Sequence, residues 1–380
     1  MRSDLALDVL GKIMEWNDAQ AVEEFRWLDF MSRAKFDGYQ DYLAGARFIE
    51  SLAAWLQQFA DRAEREAAYR FVRTILVYVG PAEMQALVDL FYPSEVERRL
   101  LRSVAQRLDI APYRVWADAS AAKAFDRLLR RTLFVGLSEG AHLDRFRRVN
   151  SGVISHEQVL VAPHVGREKW DRVADELQSA TGDPQATFRF VYLIDDFTAS
   201  GTTFIRRKDG VWKGKLAAFR GELEEVRRLY FDPELTVCVH HYLATTRASE
   251  ELPRKHAEAL SDQGSDAWFP DVRFSFGAVF VPDFPLDASP LEGVDEFVAL
   301  ARKYCDRADP LLDNRHFREG DTQDPAMGFA DCALPLVLEH NTPNNSVAIL
   351  WAETPTGLPA SGDVARHAMK PLFRRRQRHV

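Results

Sequence analysis

Over roughly the first 115 residues, apolar positions recur at helical spacing. Phe48, Leu52, Trp55, Leu56 and Phe59 stand at i, i+4, i+7, i+8 and i+11 within residues 47–79, which puts them on one helical face. Gly45 precedes this segment and Gly80-Pro81 closes the next, as helix breakers do. Pro81 opens a further helix over 81–92, and Pro93-Ser94 another over 95–108. Residues 1–115 are therefore expected to form a helical scaffold. A winged-helix-like module is the alternative, although these helices carry no base-reading signature.

After about residue 130 the pattern changes. Short apolar runs at 133–137, 190–194, 236–243 and 274–281 alternate with amphipathic helices at 166–180, 214–231 and 248–260. Strands separated by helices predict βαβ units and a mostly parallel sheet. Such strands are buried on both faces, which explains runs without polar alternation. A helix at 291–305 and an apolar segment at 329–351 complete the chain. The expected fold class is α/β: a mostly parallel sheet flanked by helices over 116–380, preceded by an all-helical region at 1–115.

Composition narrows the function classes. The formal net charge of −8 argues against a whole-protein nucleic-acid binder; the basic tail at 370–379 is a local exception and reads as a solvated or docking segment. Cys238, Cys305 and Cys332 are odd in number and far apart, which excludes a disulfide framework and a cysteine-rich zinc site. A reducing compartment follows. Asp4 and Asp8 interrupt what would be the apolar part of an export signal, and no apolar run approaches the ~18 residues of a membrane span. The expectation is a cytoplasmic protein with no membrane partner.

The candidate chemistry lies in 191-VYLIDDFTASGTTFIR-206. Asp195 and Asp196 end an apolar strand, and ligands of open α/β sheets bind beyond the carboxyl ends of strands. Two adjacent carboxylates there are costly unless something positive or hydroxylic meets them. A sugar diol, with or without magnesium, does so. Gly201 permits close backbone approach, and Ser200, Thr202 and Thr203 add hydroxyls. A helix beginning after this loop would offer its free N–H groups to a phosphate. A diol beside a phosphate describes a ribose 5-phosphate.

These residues resemble the signature of the type I phosphoribosyltransferases: an apolar strand, two acidic residues, two variable ones, then a small-residue phosphate loop. The resemblance implies a phosphoribosyl diphosphate ligand with magnesium, and a sheet of the type I phosphoribosyltransferase kind. Asp195 and Asp196 would hold the ribose hydroxyls and the magnesium; Ala199, Ser200, Gly201, Thr202 and Thr203 would hold the 5-phosphate. The family's pyrophosphate loop would be Ser138-Glu139-Gly140, after the strand at 133–137, with Glu139 tolerable only if magnesium lies between. The implied reaction is displacement at the anomeric carbon with pyrophosphate leaving. The family's mobile loop should lie near 150–170, where no catalytic residue can be aligned, so no general base is assigned.

Features outside this core, namely the long helical N-terminus, 210-GVWKGKL-216, 239-VHHYLATTRA-248 and 342-TPNNS-346, are similar to a divergent phosphoribosyltransferase-like family predicted as effectors of bacterial conflict and antiviral defence systems. That resemblance implies a protein partner from a genetically linked system. Two alternatives stand beside it: a catalytically silent nucleotide-sensing regulator on the same fold, and a nucleobase-salvage phosphoribosyltransferase.

Other constellations resolve into simpler readings. Gly210 to Leu216 falls one residue short of a phosphate-binding P-loop and lacks its hydroxyl, though Lys213 and Lys215 could still reach phosphates. His156-Glu157 lacks the second histidine of a zinc-protease helix, because Leu160 stands there. His240 and His241 are adjacent on a strand, so at most one faces a ligand. Asn344-Asn345-Ser346 is explained by turn chemistry, with nucleotide recognition as a second reading. Phe197 is expected to pack in the core.

Overall fold

The computed structural model describes residues 3–40, 48–161, 166–264, 268–305, 315–354 and 369–375. Gly45, residues 162–165 of the expected mobile loop, and residues 376–379 of the basic tail lie outside the described residues. The chain groups into two compact units, Met1–Met84 with Pro282–Val380, and Gln85–Val281.

The first unit begins with four helices, α1 (Ser3–Met14), α2 (Asp18–Ala34), α3 (Phe48–Leu56) and α4 (Arg62–Thr74). Asn17 and Gln20 form a reciprocal capping box at the start of α2, and the Asp61 side chain accepts the Glu64 N–H at the start of α4. The cap at Asp61 splits the 47–79 segment into two helices. Its last residues are not helical: Val77–Val79 form strand β1, paired in parallel with Leu336–Leu338. In the same unit, Asn345 donates to the Phe329 carbonyl at 3.0 Å and Ser346 to the Leu336 carbonyl at 2.6 Å, so this stretch fastens a turn.

The boundary between units falls inside α5 (Pro81–Phe91). The second unit continues with helices α6 (Arg98–Leu108), α7 (Ala119–Arg130), α8 (Leu143–Val149), α9 (Arg167–Thr181), α10 (Lys215–Leu223), α11 (Arg227–Tyr230) and α12 (Thr246–Gln263). Its strands are β2 (Thr132–Gly136), β3 (Val159–Val161), β4 (Phe188–Thr198), β5 (Arg206–Lys208), β6 (Val211–Lys213), β7 (Phe231–Thr245) and β8 (Val272–Phe280). Five of them form one parallel sheet in the order β3-β2-β4-β7-β8. The α/β class and its parallel sheet agree with the sequence pattern. All of β2 is buried, and so is β4 from Phe190 to Asp195. The run at 274–281 proves to be an edge strand, half-exposed, with Val279 accessible.

Alternation across the sheet sorts its side chains into two layers. One face carries Val135, Val191, Leu193, Val237 and Val239 against α9 and α10, where Trp170, Leu216 and Phe219 complete a buried cluster. The other face is aromatic. Phe134, Tyr192, His240 and Tyr242 surround Phe91 of α5, whose ring lies 4.2 Å from His240 and 5.3 Å from Phe146 of α8. Among the described residues no helix is long and apolar enough to cross a membrane.

Phe91 is fully enclosed by ring contacts, so truncation would leave a cavity rather than a relaxed surface. Phe91→Ala should destabilise the chain by about 3–5 kcal/mol, read as a fall in the urea midpoint, whereas Phe91→Leu should cost clearly less.

Candidate functional site

Strands β2 and β4 lie side by side with Gly136 opposite Ile194, so the chain leaving β2 emerges beside the acidic pair. The register brings the two predicted loops together. Ser138 Oγ donates to Asp195 Oδ1 at 2.5 Å. Gly140 packs directly on Asp196: a Cβ at position 140 would stand 2.6 Å from the Asp196 Cγ. A side chain there would have to displace the Asp196 carboxylate, which fills the space from the neighbouring strand. The Tyr242 hydroxyl donates to the Ala141 carbonyl at 3.0 Å and holds the same loop from β7.

Asp195 and Asp196 point to opposite faces. Asp195 is buried, and its second oxygen takes an ion pair from Lys215 Nζ. Burial pushes the Asp195 carboxyl above its ordinary value; the Lys215 ammonium opposes this, the Asp196 charge adds to it, and the Ser138 hydroxyl favours ionisation. Asp196 is half-buried on the aromatic face.

The strand runs on through Thr198, and residues 199–203 then form a turn. No helix starts directly at this turn, so the condition for free helical N–H groups there is not met. The chain instead enters the β5–β6 hairpin, whose tip is Asp209-Gly210 at φ 53° and 75°. That two-residue turn with positive φ at both positions is the preferred closure of a hairpin. The hairpin returns the chain to where it left: the Lys215 N–H bonds to the Thr203 carbonyl, and the Leu216 N–H to the Phe204 carbonyl. Helix α10 therefore begins against the turn, with the hairpin inserted between them. Gly214, at φ 112°, makes this junction possible, since a Cβ there would lie 2.7 Å from the Phe204 carbonyl carbon.

Within the turn, Gly201 has φ 70°, a conformation that favours glycine. Ala199 and Ser200 are buried, Thr202 is half-buried and Thr203 exposed. Thr245 donates to the Ala199 carbonyl at 2.5 Å and also accepts the Ala248 N–H as the cap of α12. Thr245 was not singled out from sequence; its signal was a threonine between an apolar run and a helix. Phe197 is half-buried, opposite Leu243.

Of the two lysines, Lys215 reaches Asp195, whereas Lys213 stands half-exposed on β6 with no ion-pair partner among the described residues. Glu139 is exposed. The two histidines face opposite layers, as strand alternation requires. His240 stacks on Phe91 and bonds to Ser275 Oγ at 2.9 Å. His241 is the cross-strand neighbour of Asp195 and packs on Phe204. Burial, with the Lys215 charge behind it, pushes the His241 imidazole down to about 3. It is neutral at ordinary pH.

Removing the Lys215 ammonium would leave a buried carboxylate with no cation, a loss for which buried pairs set the scale. Because Lys215 is 30% exposed, the expected cost of Lys215→Met is at the low end, up to about 3 kcal/mol. The Asp195 carboxyl would then rise further. The penalty should be full at pH values above that raised pKa and shrink as pH falls through it, when Asp195 takes a proton. Denaturant melts of both proteins from pH 5 to pH 8 check this sign.

A protein-family model described as PRTase-CE matches residues 52–375. Searches of curated proteins and of solved structures returned no match. The family match takes in both loops, the inserted hairpin and all five strands of the parallel sheet. The chain belongs to PRTase-CE, a phosphoribosyltransferase-like family.

Proposed function

We propose that the carboxyl ends of β2 and β4 bind a phosphoribosyl diphosphate ligand with magnesium, and that the chain serves as an effector in a bacterial antiviral defence system, alongside a protein partner. The observation that carries the ligand reading is the meeting of two loops that lie far apart in sequence. Ser138 bonds to Asp195, and Gly140 yields its Cβ space to Asp196. Carboxylates suit ribose hydroxyls, and the hydroxyl-bearing turn at 199–203 suits the 5-phosphate. Backbone N–H groups after β2 suit a pyrophosphate. Family membership supports the coarser statement, a phosphoribosyltransferase-like protein with a phosphoribosyl-type ligand.

Magnesium prefers oxygen donors, keeps several of its waters and is commonly held by one or two carboxylates with substrate phosphates. The half-buried Asp196 carboxylate, packed on Gly140, fits such a place. Asp195 fits it less well as a direct ligand, because Ser138 and Lys215 already engage its two oxygens. When bound, the ion would neutralise charge on the departing pyrophosphate. The chain's own contribution would be positioning and charge stabilisation. Ligand phosphate would draw Lys215 off Asp195, and the released carboxylate would take the ribose hydroxyls. His241 is too weakly basic to accept a proton at neutral pH, so no general base is assigned.

The silent nucleotide sensor is supported by one observation of its own: Asp195 is 3% exposed and engaged twice, an arrangement that resists turnover until the ion pair opens. Calorimetry with phosphoribosyl diphosphate tests both readings. Binding should require magnesium and weaken about tenfold or more in Asp195→Asn/Asp196→Asn and in Gly140→Ala. Equal affinity in the double variant would refute the site. Pyrophosphate release on adding free nucleobases would favour salvage, and magnesium-dependent binding with no release from any acceptor would favour the sensor. For the defence role, induced expression with its linked partner genes should arrest growth, and the double aspartate variant should not; arrest by both proteins would contradict that role for the site.

A further inference from the structure

A cavity lies away from the acidic pair. It is a cleft of about 960 Å³ at the opposite end of the same sheet, where β2, β4 and β7 begin. From Arg189 at this end to Asp195 at the other, β4 rises about 20 Å. The two places are separate.

Four arginines line the cleft: Arg107 of α6, Arg127 of α7, Arg131 before β2, and Arg189 in β4. Two are fixed in its wall. Arg131 pairs with Asp232 at 2.7 Å and donates to the Thr187 carbonyl at 2.7 Å, and Arg189 pairs with Glu234 at 3.0 Å. The other Arg189 terminal nitrogen, Nη1, is buried without a hydrogen-bond acceptor among the described residues. A buried donor left without an acceptor is costly. Arg107 and Arg127 are exposed and have no ion-pair partner among the described residues. The lining carries four guanidinium groups and three carboxylates, those of Asp183, Asp232 and Glu234, in a chain whose formal net charge is −8. The lining also has apolar members, the buried Val104, the half-buried Leu128 and the exposed Leu108.

We infer that this cleft is a second binding site, for a nucleoside phosphate. Guanidinium groups recognise phosphate through paired donors and also stack on aromatic rings. Apolar and cationic groups lining one cleft suit a ligand with a flat base at one end and an anion at the other. The volume is in the range of small-molecule sites. Arg107 and Arg127 supply the mobile charge, Arg131 and Arg189 the fixed donors. This inference stands whether or not the acidic pair binds phosphoribosyl diphosphate.

The test is calorimetry of the full chain with ATP, AMP and adenosine, in EDTA so that magnesium-dependent binding elsewhere is silent. ATP or AMP should bind, adenosine should bind much more weakly, and Arg107→Ala/Arg127→Ala should weaken the nucleotide about tenfold or more. Both arginines are exposed and unpaired, so the double variant should melt as the parent does. Asp196→Asn should bind normally. No binding of ATP or AMP at millimolar concentration, binding unchanged by loss of both arginines, or binding abolished by Asp196→Asn would each overturn the inference.

Discussion

A carboxylate buried inside a parallel sheet needs a counter-charge, and the local architecture of the second unit follows from meeting that need at Asp195. Its same-face neighbours along the strand, Leu193 and Phe197, are apolar, and the carboxylate itself is buried. Ionised, it would carry a large desolvation cost without a cation and a hydroxyl at hand. Lys215 supplies the one and Ser138 the other. Those two partners come from helix α10 and from the loop after β2, so a single side chain ties two segments to the end of β4.

This arrangement explains why a hairpin can be inserted next to the site without scattering it. The backbone bonds from Lys215 and Leu216 back to Thr203 and Phe204 close the insertion at its base. Helix α10 then starts where a helix directly following the turn would start. The turn at 199–203 is held from the other side by Thr245, which is at once the end of β7 and the cap of α12. The turn thus rests on two strands and two helices rather than on a free loop, which is the rigidity that the proposed binding by positioning would require.

What could be read from the sequence follows from how local each signal is. The runs 133–137 and 190–194 were legible because parallel strands are apolar on both faces. The acidic pair was legible because carboxylates at the end of such a run contradict their surroundings. The hairpin is not legible, since Arg206 to Lys213 lacks apolar alternation; its one local signal is the turn pair Asp209-Gly210. The strand at Val77–Val79 was hidden because its partner is Leu336–Leu338, and such distant pairing leaves no periodicity. Lys215 reads in the sequence as a phosphate contact, but its ion pair with Asp195 depends on the insertion folding back, which no spacing rule encodes.

The acidic pair lies at one end of the sheet and the arginine-lined cleft at the other, and the central claim concerns the first. A crystal structure of the chain with phosphoribosyl diphosphate and magnesium tests it most directly. The account predicts the 5-phosphate in the turn at 199–203, the ribose hydroxyls on Asp195 and Asp196, and the Lys215 ammonium moved from Asp195 to a phosphate oxygen. Ligand bound only at another place, with the Asp195–Lys215 pair intact, would contradict it.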